Sequence, residues 1–106
     1  GRLDRWYAKQ FAYFIDKMKK TEDANGSLLD NTLIMYGSAC STTHNARNCP
    51  IILAGGGNMG LKHGAYTKFE EKKERLSNLY VNMLNKLDIP TEQFSDSTGE
   101  LSTDIV

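Results

Sequence analysis

Large apolar residues fall at Leu3, Tyr7, Phe11, Phe14, Ile15 and Met18, at steps of three and four apart from one adjacent pair. Asp4, Lys9, Asp16, Lys17 and Lys20 lie mostly off that line. Such spacing places the apolar set on one face and predicts a helix over 3–20. Asp23, Asn25 and Gly26 then supply a turn, because Asn and Gly tolerate positive φ. Two short apolar runs follow, at 32–36 and 50–54, the second stopped by Gly55, Gly56 and Gly57. A continuous run of about five apolar residues fits a strand covered on both faces, as in parallel sheets. Between the runs, 39–49 is polar and rich in Ser, Thr and Asn, and reads as a loop.

Beyond the glycines, 58–68 reads as irregular structure or a short hairpin. A second helix is predicted over about 71–87, with Leu76, Leu79, Tyr80, Met83, Leu84 and Leu87 on its apolar face. The charge run at 70–75 reads as its solvated first turn, and Pro90 ends it. The remainder, 91–106, is polar and expected to form a loosely packed tail. The expected fold class is α/β: an incomplete open sheet of at least two buried, parallel strands with flanking helices. Two apolar strands need neighbours on their edges and cover on both faces. The chain therefore reads as a single domain over 1–106 or as the C-terminal fragment of a larger one. No lead-in precedes the first helical residues, which points to sequence upstream.

Composition narrows the picture. The chain has 106 residues, 40% of them hydrophobic and 25% charged, as in ordinary globular proteins. Thirteen basic residues balance thirteen acidic ones, so no long-range field draws in nucleic acid or an anionic membrane surface. No apolar run approaches the roughly 18 residues of a membrane span. The opening residues lack the apolar core of a signal peptide. Expected partners are a second copy of the chain or the missing part of a parent chain, with Trp6 beside Tyr7 covering an exposed patch.

Several motifs resemble a known family. The stretch LLDNTLIMYGS at 28–38 resembles the segment that carries a strand in sulfatases and their alkaline-phosphatase-like relatives. PIILAGG at 50–56 and LYVNMLNKLDIP at 79–90 are similar to later segments of that superfamily. With His44, Asn45 and FSDSTG at 94–99 in the same order, the chain more closely resembles the C-terminal part of bacterial HXXSHH-family proteins. The motif that names this family is absent here and would lie upstream. The resemblance implies an alkaline-phosphatase-like fold, an exported parent and a divalent metal held only in that full-length parent. It also shows departures. Where sulfatases carry an Asp-His metal pair this chain has Ala39 and Cys40, and Ala46 replaces the second histidine usual after His-Asn. Sulfatase or phosphatase chemistry is therefore not carried over, and no catalytic residue is assigned.

The candidate binding residues all belong to the loop after the first run: Ser38, Cys40, His44 and Asn45. In open α/β sheets ligands bind beyond the carboxyl ends of strands, where such loops converge. His44 is a candidate metal ligand or general base, since imidazole titrates near neutrality; the plainer reading is a loop histidine with ordinary hydrogen bonds. Cys40, His44 and Cys49, with His63, make four nominal zinc ligands, at looser spacing than structural zinc sites show. The same cysteines also admit a disulfide or two free thiols. The glycines at 55–57 end a strand and open no helix, so they read as a turn, without a dinucleotide fingerprint.

Overall fold

The computed structural model describes residues 1–102. Helix α1 (Arg2–Lys20) is followed by a small antiparallel hairpin, β1 (Glu22–Asp23) and β2 (Gly26–Ser27). Strands β3 (Leu33–Gly37) and β4 (Ile51–Gly55) form a second sheet; a 3-10 turn (Gly57–Met59) and helix α2 (Leu76–Lys86) complete the order. Asp4 in the first turn of α1 and Lys17, Lys19 and Lys20 in its last turn suit the helix dipole. The predicted turn is present: Asp23 Oδ1 accepts the Asn25 N–H at 2.8 Å, and Gly26 takes φ 104°.

The second sheet overturns the expected fold class. β3 and β4 are antiparallel, with Leu33 opposite Gly55 and Gly37 opposite Ile51, so the described residues form no parallel open sheet. The cause lies in the connection. Parallel neighbours require a crossover that carries the chain back to the starting end, usually through a helix. Residues 38–50 instead turn on themselves: Ser41 N–H donates to Asn45 O at 2.8 Å, and Thr42 bridges Asn45. β4 consequently returns beside β3 in the opposite sense. The strands are not buried either, since all five residues of each are half-buried or exposed. An apolar run reports a need for cover and carries no information on who supplies it.

One face of this sheet meets α1, where Phe11 stacks on Tyr36 with ring centroids 4.5 Å apart and an interplanar angle of 13°. Phe11, Ile15 and Met18 are half-buried, whereas Leu3, Trp6, Tyr7, Tyr13 and Phe14 are exposed. No residue of α1 is buried. The apolar core sits instead in the C-terminal half, in Leu61, Leu79 and Val81. The radius of gyration, 15.0 Å, exceeds the value of about 13 Å for a compact chain of this length.

Helix α2 begins at Leu76, the first residue of its apolar face, and not at about 71 as the reading of the charge run as its first turn predicts. The charge run is a turn, with Lys72 at φ 66° and Arg75 extended at the helix N-cap. Its C-terminus follows the Schellman pattern, Asp88 standing left-handed at φ 58° and Ile89 N–H donating to Leu84 O at 3.0 Å. Pro90 comes directly after.

The tail read as loosely packed is tied to α2 over its described part, 91–102; 103–106 lie outside the described residues. Asn78 Oδ1 accepts Thr98 N–H at 2.9 Å, Asn82 Oδ1 accepts Leu101 N–H at 2.8 Å, and Asn85 Oδ1 accepts Thr91 N–H at 2.8 Å. Ser77 Oγ donates to Asp96 Oδ1 at 2.7 Å, and Tyr80 meets Phe94 edge-on. Asn78, Asn82 and Asn85 recur at helical spacing, so one polar stripe of α2 serves as the seat for the tail.

Glu74 joins this seat by accepting from Ser102 Oγ and, at 3.0 Å, from Asn78 Nδ2. The Ser102 hydrogen bond chiefly holds its carboxyl below the usual glutamate range, with Asn78 adding and partial burial opposing. A carboxyl depressed in the folded state stabilises above its unfolded pKa, and that contribution is lost as pH falls through the folded value. Acidification below the ordinary glutamate range should therefore loosen the tail first at Ser102. Amide exchange followed against pH would show it, and an identical acid response in Glu74→Gln would contradict the assignment.

Candidate functional site

The loop 38–50 springs from the Gly37–Ile51 end of the sheet, and its conformation is set by short-range polar bonds. Ser38 Oγ donates to Cys40 O at 2.7 Å and accepts Cys40 N–H at 3.3 Å, so one hydroxyl holds both backbone groups of Cys40. Asn45 N–H donates to Thr42 O at 3.2 Å, closing a turn with His44 at φ 54° near its tip. Asn45 Oδ1 accepts Arg47 N–H at 3.1 Å, which shapes the return limb. Asn45 is thus a turn former, with its side-chain oxygen already engaged. Arg47 also reaches Glu71 at 3.6 Å, a tie between the loop and the turn before α2 that the sequence reading missed; only an opposite-charge pair far apart in the chain signalled it.

Ser38, Cys40, His44 and Asn45 therefore lie on one loop, as expected, and all four are exposed. They do not converge on a rim. In an antiparallel pair the carboxyl ends of β3 and β4 point to opposite ends of the sheet, so the parallel-sheet argument for a shared site no longer applies. The four nominal zinc ligands are divided for the same reason. His63 Nε2 lies 2.7 Å from Gly55 O, at the end of β4 opposite Leu33. That end is about 13 Å along the strand from the loop, at roughly 3.4 Å per residue. Among the described residues no three His, Cys, Asp or Glu side chains gather into a metal-binding group. His44 belongs to no such group among the described residues.

Shallow hollows mark the described surface. One of about 280 Å³ at the loop base is lined by Asp4, Tyr36, Gly37, Ser38, Pro50 and Ile52. It falls just under the roughly 300 Å³ at which ligand pockets begin. Another, about 370 Å³, lies on the tail between Glu92, Gln93, Ser97, Thr98 and Gly99. In the first hollow the Ser38 hydroxyl donates to Cys40 O, and Asp4 Oδ2 accepts from the amino group of Gly1 at 2.8 Å. No family model, curated protein or solved structure matches the chain. Among the described residues no helix is long and apolar enough to cross a membrane.

Proposed function

We propose that this chain is a non-enzymatic assembly module, which associates with a second copy of itself through the open β3–β4 sheet. The observation that carries the reading is the state of that sheet: ten strand residues, none buried, with Met35 and Ile52 among the exposed large apolar side chains. Natural proteins protect free strand edges with charges, bulges or prolines. Neither strand contains a charged residue or a proline, so two copies can meet edge to edge without like-charge repulsion. The exposed strip of α1 next to the sheet, including Tyr7 and Phe14, enlarges the apolar surface available to such a contact. The order of the motifs supports placing the module in an HXXSHH-like protein, with the loop 38–50 as connecting surface and no catalytic machinery of its own.

Sedimentation equilibrium over a micromolar concentration series tests this directly. A concentration-dependent dimer is expected, weakened at least about tenfold by Ile52→Lys, equivalent to roughly 1.4 kcal/mol. A chain that stays monomeric across the series, or a dimer indifferent to lysine at Ile52, would overturn the proposal.

A further inference from the structure

We infer that Cys40 and Cys49 form an intramolecular disulfide that clamps the loop 38–50 across its base. These are the chain's two cysteines, one near each foot of the same loop. Both are free thiols here, Cys40 exposed and Cys49 half-buried. The ladder of the sheet brings the two feet together. Gly37 and Ile51 form the last pair of the ladder, with Ala39 two residues beyond the one and Cys49 two residues before the other. Side-chain geometry agrees with this placement, since the Cys49 thiol donates to Ala39 O at 3.4 Å.

That carbonyl belongs to the peptide joining Ala39 to Cys40. Planar peptide geometry puts the Cys40 Cα about 3 Å from the carbonyl oxygen, hence within about 6 Å of Cys49 Sγ. The Cys49 Cα lies up to about 3 Å beyond its own Sγ, which bounds the Cα–Cα separation at about 9 Å; a disulfide spans roughly 4.4–6.8 Å, so its formation takes a side-chain rotation and a closing of the loop limbs by at most a few ångströms. The backbone of Cys40 is already held by the hydroxyl of Ser38 through its N–H and its carbonyl. The Cys40 thiol itself makes no hydrogen bond among the described residues, which leaves it available to an external reactant.

The chemistry is thiol–disulfide exchange with a small-molecule disulfide of the glutathione class. Exposed Cys40, as thiolate, attacks one sulfur of that disulfide; the S–S bond breaks and one small thiolate leaves, taking up the proton Cys40 gave up. Cys49 then loses its proton and attacks Sγ of Cys40, displacing the second small thiolate, which is protonated. Two protein thiols become one disulfide, and one small disulfide becomes two thiols, so electrons and protons balance. The product joins the two limbs beneath His44 and Asn45. It narrows the motion of the loop tip without touching the strand edges used in assembly, and it stands independently of that reading.

The test treats the purified chain with oxidised glutathione and follows it by thiol titration and intact mass. The expected product is a monomer lighter by two hydrogens, with neither thiol titratable and a proteolytic fragment cross-linked from Cys40 to Cys49. In Cys49→Ser the reaction should stop at a stable mixed disulfide on Cys40. Because cysteines this close in sequence also meet in an unfolded chain, the ring-closing step is compared with and without denaturing urea. The folded geometry predicts faster closure in native buffer, on the order of tenfold. Closure that urea accelerates, glutathione retained on both cysteines, or bonds formed only between separate chains would each overturn the inference.

Discussion

Replacing Gly55 with alanine should destabilise the chain by at least about 3 kcal/mol, well beyond the usual cost of a surface substitution. Gly55 takes φ 77°, and a Cβ there would stand 2.2 Å from Thr32 O and 2.7 Å from Leu29 O. Both obstacles are backbone atoms, which cannot swing aside as a side chain would. Leu29 is itself anchored, donating its N–H to Met18 O at 3.2 Å and accepting from Gly56 N–H at 2.9 Å. The collision would therefore push the segment 28–32 away from both α1 and β4, at the junction where helix and sheet meet. Gly26→Ala separates the two contributions. It also requires positive φ, at 104°, but its Cβ meets nothing within 4 Å. Only the conformational cost, about 1 kcal/mol, is expected there. Urea unfolding of both variants gives the comparison, and equal losses would show that the close approach at Gly55 is not a constraint.

The second large effect is expected at Asn78, which is 2% exposed and makes three side-chain hydrogen bonds. Truncation to alanine removes the acceptor of Thr98 N–H and the donor to Thr98 Oγ1, and it releases Glu74 from one of its partners. Leaving such groups without partners costs about 1–3 kcal/mol each when water cannot replace them. A total loss of about 2–4 kcal/mol is expected, reduced where the tail opens to solvent. The diagnostic readout is local. Amide protection should fall at Thr98 and Leu101 together, while the β3–β4 ladder keeps its own. Uniform loss across the chain, or none at the tail, would mean that the asparagine stripe does not hold the tail.

Much of the local structure was legible in the residues. The apolar spacing of Leu3 through Met18 predicted α1, and the structure runs it from Arg2 to Lys20. The turn at Asn25 and Gly26, the two short strands, the glycine stop and the end of α2 before Pro90 were legible for the same reason: each depends on near neighbours in the chain. The start of α2 was misplaced because charged residues at 70–75 suit a solvated helical turn, whereas Arg75 and Glu74 are drawn aside to the tail. The asparagines of α2 were legible only as polar positions, since a solvated stripe and a seat for another segment have the same composition.

The candidate site shows the same division. That Ser38, Cys40, His44 and Asn45 share one loop follows from adjacency in sequence, and it holds. Whether they converge with His63 depends on the direction of β4, which no run of apolar residues encodes. Periodicity states which side chains share a face, and composition states how much cover they need. Both are properties of a segment and its immediate neighbours. Strand direction, the seat of the tail on Asn78 and Asn82, and the exposure of Met35 and Ile52 depend on contacts between residues far apart in the chain. The sequence by itself determined the helices, the turns and the apolar strands; only the tertiary structure decided how they face one another, because pairing and burial are settled by which distant surfaces meet.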